Sequence, residues 1–410
     1  MLTKLRPPRA ARILLGRVRA GRGGRWAWRV LLFLLFVAVF GDFLANEKPL
    51  VASYQDSIRF PIFRDYGVGA GLLSPYTDVG GKPWQRLETD WAVYPPIPYS
   101  ARTLGKSNLS PIGPQRVASR RYRHWLGTDG NGRDLAAGLI SGTRIALAVG
   151  VAAMSAALLV GLLLGGIGGF FGNRGYYRSR GWLIGLLLGG LVGALYAGIN
   201  LATFIAPAAA GMPLLLGGLG WVVGATAGAA LGKRLDRSGR LIPLPLDATL
   251  MRLVELFNSV PGLLLLLAIF GFMRQPTLLV VMLIIGLLRW TGIARFVRAE
   301  LLRIRSADYI LAGRVAGYSE SRLLWRHALP NALGPVIVAL SFGMAGAVLL
   351  EAFLSFLGVG LPPEVVTWGR LLAQSRARAS SWWLAVFPGM AIFVTVMVFN
   401  TLGEVLTEKE

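Results

Sequence analysis

The sequence predicts an all-α, polytopic membrane protein, and three observations carry that expectation. Of its 410 residues 54% are hydrophobic and only 15% charged, where a soluble domain carries about 25% charged residues. The apolar residues fall in long blocks. Ile145 to Gly172, for example, holds no charge and makes about 40 Å of helix, enough to cross a bilayer with tilt. Finally, the 43 Lys and Arg, against 20 Asp and Glu, sit beside those blocks, as the positive-inside bias requires. One block alone could be a buried helix of a soluble protein; a series of them cannot.

That placement also answers the nucleic-acid reading that a formal charge of +23 invites. The arginines flank spans, so no nucleic-acid partner is needed to account for them. Cysteine is absent, which excludes a disulfide framework and thiolate chemistry. With only His124 and His327, a histidine-rich metal site is not expected. No cofactor is expected either.

Residues 1–29 carry nine Lys or Arg and no acid, and read as a cytoplasmic basic N-terminus. The apolar run from Val30 follows, with Trp26 and Trp28 as interfacial anchors, so 30–45 is the first transmembrane helix. A signal peptide shares this basic-then-apolar pattern, but no clear Ala-x-Ala site follows. Residues 46–125 are rich in Pro, Tyr, Trp and charge, including the run from Tyr94 to Tyr99 with its three prolines. This is a loop-rich external region in which prolines oppose long helices and short strands can form. Residues 126–410 form the transmembrane domain. Its spans are expected at 145–171, 183–205, 212–231, 252–272, 276–293, 332–354 and 383–402, eight in all with the first. Threading from a cytoplasmic N-terminus puts the basic clusters Arg174 to Arg180, Lys233 to Arg240 and Arg295 to Arg326 on the cytoplasmic side, an agreement that the hydropathy of the spans does not by itself impose.

Two stretches carry motifs. The first runs from His124 to Asp134 and contains Gly127, Thr128, Asp129, Gly132, Arg133 and Asp134, ending at Ser141-Gly142-Thr143-Arg144-Ile145. By local chemistry it is a Gly-rich turn in which Asp129 caps a helix. It is not a calcium loop, since Asp134 stands where that loop needs its turn glycine. The second runs from Asp308 to Asn331 within a loop at about 295–330. It contains Tyr309, Ala312, Gly313, Gly317, Tyr318, Ser319, Glu320, Leu329 and Pro330, with seven Arg and three acids between Arg295 and Arg326. Small residues there let a helix lie close against a partner, and Gly317 ends it or permits a sharp turn. On charge alone it is a basic cytoplasmic loop.

Both stretches resemble dipeptide and oligopeptide ABC importer permeases. The first resembles the signature before their second core helix. The second resembles their cytoplasmic coupling loop, with Ala312, Gly317, Leu329 and Pro330 matching, Leu311 in place of the family's Glu and Gly313 in place of its second Ala. Phe43 to Leu50, with the long external region, is similar to the second permease subunit class of oligopeptide and microcin C importers. The resemblance implies a six-helix type I permease core in a bacterial inner membrane, with both termini cytoplasmic. It also implies a heterodimer with a sister permease, two ATPase subunits and an external peptide-binding protein.

Residues 175–245 depart from that family by adding two apolar segments with glycine ladders, Gly181, Gly185, Gly189, Gly193 and Gly220, Gly224, Gly228, Gly232. Small residues at every fourth position let helices approach closely, so an accessory helical hairpin outside the pore is expected.

The chain lacks Gly-x-x-x-x-Gly-Lys-Ser/Thr and so is not expected to hydrolyse ATP by a P-loop; it is a non-catalytic subunit whose energy comes from partners. A secondary carrier would place ionisable groups near the midplane, whereas Asp42, Glu255 and Glu351 lie near expected span ends. An intramembrane enzyme could set Asp247 and Glu255 on one helix face, two turns apart, but no nucleophile or metal partner accompanies them.

Overall fold

The computed structural model describes Gly16 and residues 21–76, 84–87, 89–104, 122–173, 177–199, 211–236, 241–243, 245–273, 276–362, 364–377 and 380–407. The described chain is predominantly helical. Five of its helices are long and apolar enough to cross a membrane: α1 (Arg22–Leu44), α3 (Leu135–Phe171), α8 (Leu278–Ile304), α10 (Glu320–Phe356) and α12 (Trp383–Thr407). A sixth span is a broken one, α6 (Leu246–Ser259) and α7 (Gly262–Phe272), bent by 74°. The break falls at Val260-Pro261, where both residues leave helical geometry. Proline cannot donate the helical hydrogen bond, and it pushes the residue before it toward extended backbone. The uninterrupted span expected at 252–272 is therefore corrected to two pieces. The other two of the eight expected spans, 183–205 and 212–231, belong to the insertion, part of which lies outside the described residues.

The residues fall into two compact units, one containing the chain up to Met154 together with Leu340 onward, the other Ser155–Ala339. In the first unit, α1 begins eight residues before the expected span and takes Arg22, Arg25 and Arg29 into the helix. Its face of Ala27, Leu34 and Ala38 packs with Leu147 of α3, Ala345 of α10 and Val398, Phe399 and Leu402 of α12. Small residues fix the closest approaches. A Cβ on Gly142 would meet the Trp368 ring at 2.4 Å, and that indole donates to Leu139 O at 3.0 Å.

Within residues 46–125 of the same unit, the described residues include an antiparallel sheet in the order β2-β1-β3, with β1 Val51–Tyr54, β2 Ser57–Arg59 and β3 Trp91–Val93. Gln55 and Asp56 join β1 to β2 with φ of 52° and 53°, the two-residue turn whose twist suits a hairpin. Ala52 pairs with both Arg59 and Ala92 and is buried under Trp84, with Tyr54 and Tyr76 packed around it. A short helix, α2 (Pro61–Gly69), starts on a proline at its first position, which the helix tolerates because a first-turn N–H has no intrahelical partner anyway.

In the second unit, Gly161, Gly165 and Gly169 of α3 bring its backbone onto α8. A Cβ on Gly165 would sit 2.5 Å from Ala294 O, and one on Gly169 2.8 Å from Arg298 Cα. The described part of the insertion contains two helices, α4 (Arg180–Ile199) and α5 (Gly211–Leu235), packed against each other. The ladders interlock in antiparallel register: Cβ atoms on Gly181, Gly185 and Gly189 would lie 2.3, 2.0 and 2.1 Å from the carbonyls of Gly232, Gly228 and Gly224. Backbone meets backbone, so only glycine fits. A two-stranded ribbon closes the base, β4 (Tyr177–Ser179) pairing with β5 (Leu241–Pro243). The Asp236 carboxylate accepts from Gly181 N at 2.8 Å, tying the end of α5 to the start of α4.

Candidate functional site

The two motif stretches fall in different units, and each forms a site of its own. In the second unit, α8 ends at Ile304 and α9 (Asp308–Val315) follows after a short turn. Gly317 ends α9 with φ +79°. Its N–H bonds Arg314 O, and Tyr318 N–H reaches back to Gly313 O, both at 3.0 Å. This reciprocal pair is a Schellman cap, whose left-handed position strongly favours glycine. Ser319 then caps α10, its hydroxyl accepting from Arg322 N at 3.4 Å. Residues Leu323–Ala328 adopt the wider π-helical winding before the regular helix resumes at Leu329. Glu320 holds the turn closed, because both its oxygens accept from the Arg314 guanidinium, at 2.8 and 3.2 Å.

The expected residues of this stretch divide into two groups. Gly313 and Leu329 are buried. A Cβ on Gly313 would meet Leu323 Cδ2 at 2.6 Å, so this small residue serves close packing within the chain and not an outside partner. Tyr309, Ala312, Gly317, Tyr318, Ser319 and Pro330 are exposed, and Glu320 is half-buried. The Tyr309 hydroxyl accepts from Asn331 Nδ2 at 3.4 Å, and the Tyr318 ring stacks on His327 with centroids 5.9 Å apart. Sequence reasoning missed three residues on this surface: Leu311, Trp325 and above all Val315, which is 91% exposed. The available signal was large apolar residues within an otherwise basic, polar loop. Beneath them, Ile310, Leu323, Leu324 and Ala328 are fully buried. The motif is thus a rigid helix–turn–helix with an apolar outer face and an arginine-rich rim.

The first stretch lies in the other unit and is a buried clasp. Asp129 does not cap the helix; Asp134 does, its Oδ1 accepting from Ala137 N at 2.8 Å. The cap falls there because α3 starts at Leu135, directly after Asp134. Asp129 instead organises the turn. Its Oδ1 accepts from Asn131 N and Arg133 N at 2.9 and 2.8 Å, and its Oδ2 from Gln374 Nε2 of α11 (Trp368–Gln374) at 3.0 Å. The same Gln374 accepts from Gly130 N at 3.1 Å. Gly127 and Gly132 take positive φ, 80° and 75°, which lets the turn fold back so that Thr128 pairs with Asp134. Trp383 Nε1 donates to Thr128 O at 3.0 Å. Thr128, Asp129 and Asp134 are at most 2% exposed, so these residues hold elements together and present no chemistry to solvent. Tyr99 stacks on His124 at 4.3 Å and donates to Tyr122 O at 2.7 Å. Burial, and the negative charge of Asp134 after it, push the Tyr99 phenol up to about 12.

The acids considered for carrier or enzyme chemistry all have partners. Asp42 accepts from Arg144 Nη2 at 3.0 Å and from the Tyr66 hydroxyl. Asp247 is gripped by two of the Arg298 nitrogens, Nε and Nη2, the latter at 2.8 Å. Glu255 pairs with Arg252 at the surface, so Asp247 and Glu255 do not converge. Glu351 accepts from the Ser355 hydroxyl at 2.7 Å. Among the described residues no group of three or more acids or histidines could hold a metal.

Comparison with known proteins accords with this architecture. Residues 224–409 match the family described as binding-protein-dependent transport system inner membrane component. The chain is 26% identical over 414 residues to the inner membrane ABC transporter permease protein YejE of Escherichia coli (strain K12), covering 99% of this chain and 98% of that one. It is 26% identical to the peptidoglycan transport system permease protein YejE of Agrobacterium fabrum, with 95% and 90% covered. Against the oligopeptide transport system permease protein OppC of Bacillus subtilis (strain 168) it is 26% identical, with 70% of each chain covered. Residues 224–409 thus carry a binding-protein-dependent transport system inner membrane component domain, and the chain resembles permease subunits of ABC peptide importers along most of its length.

Proposed function

We propose that this permease forms half of a peptide translocation pathway and takes its driving force from separate ATPases through the loop at 295–330. The observation that carries the coupling role is the apolar outer face of Leu311, Val315, Tyr318 and Trp325 on a segment capped by Gly317. A basic, water-facing loop has no physical reason to expose such a patch unless a partner covers it. A rigid helix–turn–helix is also what can transmit a push from an ATPase to the helices it joins. In this arrangement a sister permease supplies the other half of the path, and two ATPase subunits and an external binding protein complete the importer. Peptides as cargo follow the names of the relatives, one an oligopeptide and one a peptidoglycan transport permease. The test is to replace Val315 and Leu311 with Glu and co-express the permease with its sister and ATPases. We expect normal membrane insertion, loss of ATPase co-purification and at least a tenfold fall in substrate-stimulated ATP hydrolysis. Full recovery of the ATPases with both variants would sink the coupling assignment.

Both termini and this loop are assigned to the cytoplasm and the 46–125 region to the outside, on charge asymmetry. The chain has no cysteine, so single cysteines report cleanly. An impermeant thiol reagent applied to intact spheroplasts should label Ile58→Cys and spare Ser321→Cys, both positions being exposed; the reverse pattern inverts the topology.

A further inference from the structure

The α4–α5 hairpin carries a feature that the transport function leaves unused. Along one side of the interlocked ladders runs an open groove of about 580 Å³. Its floor is Gly185, Gly189 and Gly228, and its walls include Ile184, Leu188, Val192 and Leu231, each close to half or more exposed. Because the floor glycines are occupied with backbone contact, the groove exists for want of side chains and not through looseness. From Arg180 to Val192 it runs about 18 Å at the helical rise of about 1.5 Å per residue, close to the roughly 15 Å of one leaflet of bilayer hydrocarbon.

One end of the groove is basic. Arg180 lines it, Lys233 and Arg234 stand in the last turn of α5, and the Arg178 guanidinium lies 5.6 Å over the Trp182 ring. Arg178, Arg180, Lys233 and Arg234 are exposed. Among the described residues one carboxylate, Asp236, lines the same end and accepts from the Gly181 backbone; it keeps its charge, but four cations stand against it, so the net charge at this end is positive. An indole at the same level marks the headgroup depth that tryptophan favours.

We infer that this groove is a binding site for an anionic phospholipid, one acyl chain lying along the glycine floor and the phosphate meeting Arg180, Lys233 and Arg234. Charge complementarity selects the occupant. A neutral helix or a zwitterionic lipid would fill the apolar part but gains nothing from cations at one end, whereas each basic residue near a membrane surface attracts an anionic headgroup. The inference rests on the chain being a membrane permease and not on its cargo or its coupling loop, so either can fail alone.

The test uses the full-length chain in detergent, titrated with phosphatidylglycerol or with phosphatidylcholine and read by native mass spectrometry. Wild type should hold one phosphatidylglycerol at least fivefold more tightly than phosphatidylcholine. Arg180→Gln with Lys233→Gln and Arg234→Gln should erase that preference. Ala227→Trp, at an exposed groove position, should lower occupancy by both lipids while leaving thermal unfolding unchanged. As a second readout, brominated phosphatidylglycerol in vesicles should quench wild-type fluorescence more than that of Trp182→Phe. Equal affinity for the two lipids, preference retained in the triple variant, or a groove covered by a second copy of the chain in cross-linking would each overturn the site.

Discussion

Asp134 serves two masters: one carboxylate oxygen accepts from Ala137 N at the start of α3, and the other lies 2.8 Å from Nδ1 of His124. A single buried side chain thereby ties the membrane helix to the turn before it. Removing a capping side chain costs about 1 kcal/mol, and up to about 2 in favourable sites; here the His124 imidazole would lose its carboxylate contact as well. Asp134→Ala should therefore lower the thermal midpoint of the purified permease clearly. Asp134→Asn keeps an acceptor for Ala137 and should lose less than half as much. Equal loss in both would assign the effect to charge alone.

Tyr99 makes a prediction about alkaline pH. Its phenol is raised from the ordinary value of 10.0 to about 12, by burial first and then by Asp134 and Tyr122. The native state thus favours the neutral phenol. That contribution to stability is full below pH 10 and is lost as pH rises through 12. Ultraviolet titration should show one tyrosinate appearing near pH 12 in wild type and missing in Tyr99→Phe. The variant's stability should also fall less between pH 10 and 12. An unchanged titration would refute the assignment.

Gly317 can be separated into backbone and surface roles. A Cβ there meets nothing within 4 Å, so any penalty comes from φ +79° and amounts to roughly 1–2 kcal/mol for ordinary L residues. Asparagine tolerates this region and a β-branched residue does not. Hydrogen exchange at Tyr318 N–H, the bond that closes the cap, should stay near wild type in Gly317→Asn and accelerate by about tenfold or more in Gly317→Val. Similar rates in both would mean the cap does not hold the turn. Gly317→Trp adds bulk to the same strain, and should weaken ATPase recovery more than Gly317→Val does.

The hairpin predicts opposite outcomes for two kinds of change. Gly185→Leu drives a side chain into Gly228 O, 2.0 Å from where its Cβ would lie, and should part α4 from α5. Proteolysis after Arg178, Arg180, Lys233 or Arg234 would then increase. Excising residues 177–243 removes the whole unit at the point where Tyr177 and Pro243 are paired neighbours. With a short Gly-Ser connector, the shortened permease should still insert and retain some transport. A well-folded excision variant that binds its ATPases yet moves no substrate would place the hairpin in the pathway.

Much of this protein was determined by sequence alone, because the relevant physics is local or periodic. The spans follow from runs of apolar residues, which bilayer thickness selects by length. The ladder at Gly181 to Gly193 facing Gly220 to Gly232 is a period of four that needs only two adjacent helices to interlock. Gly317 as a helix stop is likewise a property of glycine next to a short helical segment. Other features needed the tertiary structure. Asp129 reads as the cap from the sequence, and only the starting point of α3 gave that role to Asp134, leaving Asp129 to Gln374, 245 residues away. Gly313 looks like a docking residue until Leu323 is found against it. Val315 carries no signal of its own in the sequence, and only the turn of the loop leaves it 91% exposed. In each case the residue's chemistry is fixed, but its partner lies across space, and the direction of the backbone chooses which neighbour it meets.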